Sequence, residues 1–187
     1  MRILIYGFGP YRQFRDNVTA KIVRGLRRQR GLRKIVFPVR FNKRQFTSAI
    51  KDFRPDIVLG LGQCSTGHLL RQERRAVNRR RNSKSEKPRS IVNAGLPKLF
   101  TSLDLNLAGH GKLSRDAGDY VCNFSMYVLL DYIARRKLPI LYGFVHVPHG
   151  YDPKEARRVL QRALLSSKFT LQRSTFRIQD KLSREPA

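Results

Sequence analysis

Cys122, His146 and Glu73 are the residues of this chain best placed to attack and cleave an amide. Cys122 stands where a glycine-containing loop, Asp116-Ala-Gly-Asp-Tyr120, gives way to an apolar segment with a helical pattern. A thiol at a helix N-terminus faces unpaired N–H groups and the positive end of the helix dipole, and both stabilise a thiolate. His146 ends the strand-like run Phe144-Val-His-Val-Pro148, at the carboxyl edge where open α/β sheets place their sites. Glu73, among Arg71, Arg74 and Arg75, can orient an imidazole. Nucleophile, general base and orienting carboxylate make a hydrolase triad in outline. The same residues allow a blander account. A free cysteine is most often a small buried hydrophobe, and Glu73 has three arginines to pair with. Spacing alone favours the blander account.

Other chemistries have less support. Gly7-Phe-Gly9 and Gly60-Leu-Gly62 follow strand patterns, but neither reaches a third glycine at the dinucleotide spacing, so both read as tight turns. Gly111-Lys112 lacks the upstream glycine of a phosphate loop, Asn106 holding that place. His146 and His149 are three apart without paired cysteines or an acidic cluster, so neither a metal nor a cofactor is expected. Cys64 reads as a core thiol.

The elements that must position the triad follow from hydrophobic periodicity. Arg2–Tyr6, Lys34–Pro38 and Ile57–Leu61 are strand patterns. Between them lie a helix with Val18, Ile22 and Leu26 on one face, capped by Asp16 or Asn17 and stopped by Gly31, and a helix carrying Phe46, Ile50 and Phe53. Strand–helix alternation implies a parallel sheet with helices on both faces. Leu69–Val77 reads as one further strand and Asn82–Arg89 as a mobile polar loop. Tyr120–Arg136 is apolar on most faces, which predicts a buried helix. Pro139 ends it, Ile140–Val145 returns as a central strand, and Pro153 opens a last helix. The expected fold is α/β, a single domain over 1–187 with an open, mostly parallel twisted sheet, and with 166–187 as a flexible basic tail.

The 187 residues include 39 Lys+Arg against 13 Asp+Glu, a formal +26, with 41% hydrophobic residues. That apolar fraction is enough to fill a core, which excludes global disorder. No apolar run approaches the roughly 20 residues of a membrane span, and Met1–Gly7 is too short for a signal peptide. Two cysteines, Cys64 and Cys122, are too few for a disulfide scaffold and suggest a reducing compartment. The expected location is therefore cytoplasmic. The basic residues are densest from Arg71 to Arg89, around Arg79-Arg80-Arg81, and otherwise spread over foldable segments. No nucleic-acid-binding signature accompanies them, so the charge implies nonspecific attraction to polyanions at low salt rather than a dedicated site.

Three stretches together resemble the signatures of the pyroglutamyl-peptidase I (pyrrolidone-carboxylate peptidase) family, in the right order. They are Gln72-Glu73-Arg-Arg-Ala-Val-Asn78, Ala117-Gly-Asp-Tyr-Val-Cys122-Asn123-Phe-Ser-Met-Tyr127 and Gly143-Phe-Val-His146-Val-Pro148. The start, Gly7-Phe-Gly-Pro-Tyr11, is similar to the family's amino-terminal motif. The resemblance implies an α/β/α sandwich and a cysteine omega-peptidase that removes N-terminal 5-oxoproline through a thioester acyl-enzyme. It implies Cys122 as nucleophile, His146 as base and then acid, and Glu73 as the orienting carboxylate. It places Phe8 and Tyr11 around the lactam ring, with Gln63, Tyr120 and Val121 lining the same pocket. It also implies self-association and pyroglutamyl peptides as substrates.

Some positions depart from the family pattern. Gly9 stands for a glutamate, Arg12-Gln13 for two glycines, and Val18 for a proline after Asn17. The run Arg79-Arg-Arg-Asn-Ser-Lys84 replaces a segment that carries a basic residue near the reacting carbonyl, and the chain is shortened between Asn78 and Ala117. These departures leave an alternative reading, a catalytically weakened member serving as a basic polyanion-binding or interaction module.

Overall fold

A six-stranded sheet organises the chain. The computed structural model describes residues 1–11, 15–83 and 85–166. The strands and helices are β1 (Ile3–Phe8), α1 (Val18–Gly25), β2 (Leu32–Phe37), α2 (Lys43–Phe53), β3 (Ile57–Cys64), β4 (Leu70–Glu73), β5 (Arg75–Val77), β6 (Lys98–Phe100), β7 (Gly111–Ser114), α3 (Val121–Arg135) and β8 (Leu141–Pro148). A further helix, α4, covers 153–166. The expected tail lies outside the described residues beyond Ser166, as do Arg12-Gln13 and Lys84.

The sheet order is β2-β1-β3-β8-β4-β7. β2, β1, β3 and β8 run parallel. β4 turns antiparallel against β8, and β7 runs parallel to β4. Alternation along the strands separates two cores. Ile3, Ile5, Ile57, Leu59, Val145 and Val147 face α1 and α4. Leu4, Tyr6, Phe8, Val58, Tyr142 and Phe144 face α2 and α3. The result is the expected three-layer α/β/α sandwich with a mostly parallel sheet.

Several local expectations change. α1 ends at Gly25, not Gly31, because Leu26 turns extended and Lys34 Nζ binds the terminal carbonyls of Arg24 and Leu26, at 3.1 and 2.6 Å. Gly31 serves the next turn at φ +80 and accepts from Ile3 N–H. The single strand expected over Leu69–Val77 divides at Arg74. β4 stays in the main sheet, whereas β5 pairs with β6 in a separate two-stranded ribbon. The ends of the 82–89 loop are tied by two hydrogen bonds between Arg80 and Arg89, at 2.8 and 2.9 Å. Leu103, Leu105 and Leu107 alternate with exposed residues and join the α1–α4 core from a segment without regular secondary structure.

Glycines 7, 60 and 62 lie inside strands and make no turns. A Cβ at Gly7 would meet Thr19, and one at Gly60 would meet Tyr6 and Phe144. They are sites of close approach, a second reason for glycine that sequence does not separate from the first.

Candidate active site

The carboxyl edge of the parallel strands opens into a cleft of about 340 Å³. Phe8, Tyr11, Gln63, Tyr120, Val121, Cys122 and His146 all line it. Glu73 lies behind His146. Every site residue expected from sequence is therefore gathered at one place.

Strand alternation does the gathering. Gly62 of β3 is register partner to His146 of β8, and Arg71 of β4 pairs with His146 from the other side. Directly paired residues project to the same face, and so does Glu73, two residues beyond Arg71. That face is covered by the start of α3, which delivers Cys122. A Cβ on Gly62 would lie 2.8 Å from both Cys122 Sγ and His146 Cδ2, so the absent side chain leaves room for thiol and imidazole to meet.

Glu73 is fully buried, and its Oε1 lies 2.8 Å from His146 Nδ1. It pairs with none of the neighbouring arginines: Arg74 binds Asp104 at 3.0 Å and Arg75 donates to the Arg115 carbonyl. With Nδ1 taken, the hydrogen bond between His146 and Cys122 falls to Nε2. Burial opposes charge on the imidazole, yet the Cys122 and Glu73 contacts outweigh it and raise its pKa from 6.5 to about 10. This is the geometry of a nucleophile–base–orienter relay.

The first turn of α3 is fixed from two directions. Ser125 Oγ donates to the Cys122 carbonyl at 2.8 Å and joins Tyr6 and Tyr142 in a buried hydroxyl chain, with contacts of 3.1 and 2.7 Å. Asn123 exchanges two hydrogen bonds with Val77 and gives a third to the Arg79 carbonyl. Tyr120 is the N-cap of α3 and makes no side-chain capping bond, so the first-turn N–H groups beside Cys122 are not taken by its side chain.

The remaining expected residues form the β1–β3 side of the cleft. Phe8 is 2% exposed and packs edge-on against Tyr6. Tyr11 and Tyr120 lie 5.9 Å apart, and Phe41 abuts Tyr120 at 5.4 Å. Gln63 Oε1 accepts from Val18 N–H at 2.8 Å, which ties the side chain to the start of α1. Cys64 corrects its expectation. It is half-buried, lines the cleft and lies outside the core. Sequence alone assigns Arg71 and Asn123 no place in the site and reads Gly62 as a turn, although the period of two from Glu73 marks Arg71. Among the described residues no group of three or more His, Cys, Asp and Glu is placed to hold a metal ion.

The family model for pyroglutamyl peptidases matches residues 1–157. The chain belongs to that family. It is 30% identical over 189 residues to the pyrrolidone-carboxylate peptidase of Oceanobacillus iheyensis, covering 87% of this chain and 95% of that one. It is 29% identical to pyrrolidone-carboxylate peptidase 1 of Saccharolobus solfataricus, covering 79% of each. Among solved structures, the pyrrolidone carboxyl peptidase of Thermococcus litoralis superposes with a TM-score of 0.83 at 20% identity, over 92% of this chain and 96% of that one. The fold is thus that of the pyroglutamyl peptidases. No helix among the described residues is long and apolar enough to cross a membrane.

Proposed function

We propose that this pyroglutamyl-peptidase family member is a single-domain cysteine omega-peptidase that hydrolyses N-terminal pyroglutamyl residues from peptides. The observation that carries the reading is the relay Glu73–His146–Cys122, with 2.8 Å between Oε1 and Nδ1 and Cys122 on the ring's other side. Cys122 Sγ attacks the carbonyl joining pyroglutamate to the next residue. The first-turn N–H groups of α3 face the developing oxyanion. His146 gives its proton to the departing amine, leaving a thioester, and then takes a proton from the water that hydrolyses it. Glu73 holds the imidazole in the tautomer and orientation both steps need.

Phe8, Tyr11, Tyr120 and Val121 offer a neutral lactam an apolar enclosure. Gln63, with its oxygen engaged by Val18, presents its amide nitrogen to the ring carbonyl. A free amino terminus is disfavoured there, because an ammonium would lose its hydration without a partner. The expected setting is cytoplasmic. Association between chains of this charge requires an apolar interface, because like charge opposes it.

The polyanion-binding alternative is not favoured. Arg79 and Arg81 face Asp119 at 3.8 and 2.6 Å, and Arg80 lies over the Phe41 ring. The arginine run therefore contacts the loop that leads to Cys122. The test is turnover of a pyroglutamyl-arylamide by reduced, folded protein. Wild type is expected to cleave it, and Cys122→Ala and His146→Ala each to lose at least about 10³-fold in kcat/KM. Folded wild type without turnover overturns the reading.

A further inference from the structure

The sheet gives the cleft a direction. Phe8 and Tyr11 enter from the end of β1 and just beyond it, Gln63 from β3, His146 from β8 and Arg71 from β4, in the lateral order β1-β3-β8-β4. The lactam walls lie on the β1–β3 side and the proton donor for the leaving amine on β8. The chain that departs from the scissile bond therefore extends toward β4, where Arg71 lines the cleft. Arg71 Nε is buried and has no hydrogen-bond partner among the described residues. Its neighbours in sequence are engaged elsewhere, Arg74 with Asp104 and Arg75 with the Arg115 carbonyl. Two acids that share the cleft make contacts of their own. Asp119 receives Arg81 and Arg79, and Asp116 Oδ1 accepts from Gly118 N–H at 3.0 Å.

A guanidinium held with a buried, unanswered N–H costs free energy until an acceptor arrives, and a carboxylate satisfies both the hydrogen bond and the charge. We infer that Arg71 is the specificity-determining residue of the leaving side and selects pyroglutamyl substrates whose second residue is acidic. This rests on the peptidase reading of the cleft. The net charge of +26 acts in the same direction by drawing acidic peptides to the surface.

The test compares kcat/KM for pyroglutamyl-Asp-amide, pyroglutamyl-Asn-amide and pyroglutamyl-Lys-amide, with a pyroglutamyl-arylamide as reference. Wild type is expected to prefer Asp over the isosteric Asn by about tenfold, a single charge-assisted contact. Arg71→Gln is expected to bring that ratio to about one, and Arg71→Glu to invert the order so that Lys leads. A role in folding alone would not reverse a preference. Wild type that cleaves the arylamide but treats Asp and Asn alike overturns the inference, as does an Arg71→Glu variant that keeps the wild-type order. Wild type that cleaves nothing overturns the peptidase reading instead.

Discussion

The two sides of the cleft are built from different materials. On the β1–β3 side Phe8, Tyr11, Tyr120 and Val121 form a closely packed aromatic and aliphatic wall, with Phe8 and Val121 both 2% exposed. On the β4 side the lining is charged: Arg71, Asp116 and Asp119, braced by arginines from the 79–81 run. A wall that must hold one small neutral ring gains from rigidity and low polarity. A wall that meets the variable remainder of a peptide gains from charge and solvent access. Cys122 and His146 sit at the seam, where the parallel part of the sheet ends and β4 reverses direction.

The largest effect is expected at the seam. Gly62→Ala places a methyl group against both Cys122 Sγ and His146, and is expected to lower kcat/KM by at least about 10²-fold while circular dichroism stays near wild type. Unchanged activity would show that thiol and imidazole need not meet above Gly62.

Glu73→Gln comes next, with an expected loss of about 10²-fold in kcat. Its pH dependence is more diagnostic. His146 is raised from 6.5 to about 10, so its protonated form contributes stability fully below pH 6.5 and loses it as pH rises through about 10. Part of that rise comes from Glu73. The alkaline limb of kcat/KM in Glu73→Gln is therefore expected at lower pH than in wild type. A limb that stays in place would remove Glu73 from the relay.

On the apolar wall alone, Tyr11→Ala is expected to raise KM about tenfold with kcat within a factor of three, because a wall contact acts on ground state and transition state alike. An equal loss in kcat would give the wall a part in the chemistry. The smallest effect is expected at Tyr6→Phe, which removes one link of the hydroxyl chain under Cys122. A loss of about 1–2 kcal/mol in unfolding free energy, with a several-fold change in kcat, should register in denaturant titration and turnover.

Much of this was legible in the sequence because pattern and chemistry coincide there. β1, α2, β3, α3 and β8 follow from apolar periodicity and from the breaks at Pro139 and Gly9-Pro10. The signature stretches around Glu73, Cys122 and His146 selected the triad that spacing alone did not. Other features were hidden for physical reasons. Gly60 and Gly62 read as turns because glycine serves both a turn and a close approach. Arg71 was indistinguishable from Arg74 and Arg75 until β4 was known to end at Glu73 and to face His146. The division at Arg74 left no mark because the chain stays extended while it changes sheets.

The peptidase reading requires that Cys122 carry the substrate's acyl group. Acid quenching during turnover of a pyroglutamyl-arylamide, followed by peptide mass mapping, tests it directly, because Cys64 lines the same cleft. The expected result is one pyroglutamyl thioester on the peptide containing Cys122, abolished in Cys122→Ala and retained in Cys64→Ala. A thioester on Cys64, or full turnover by Cys122→Ala, would remove Cys122 as the nucleophile.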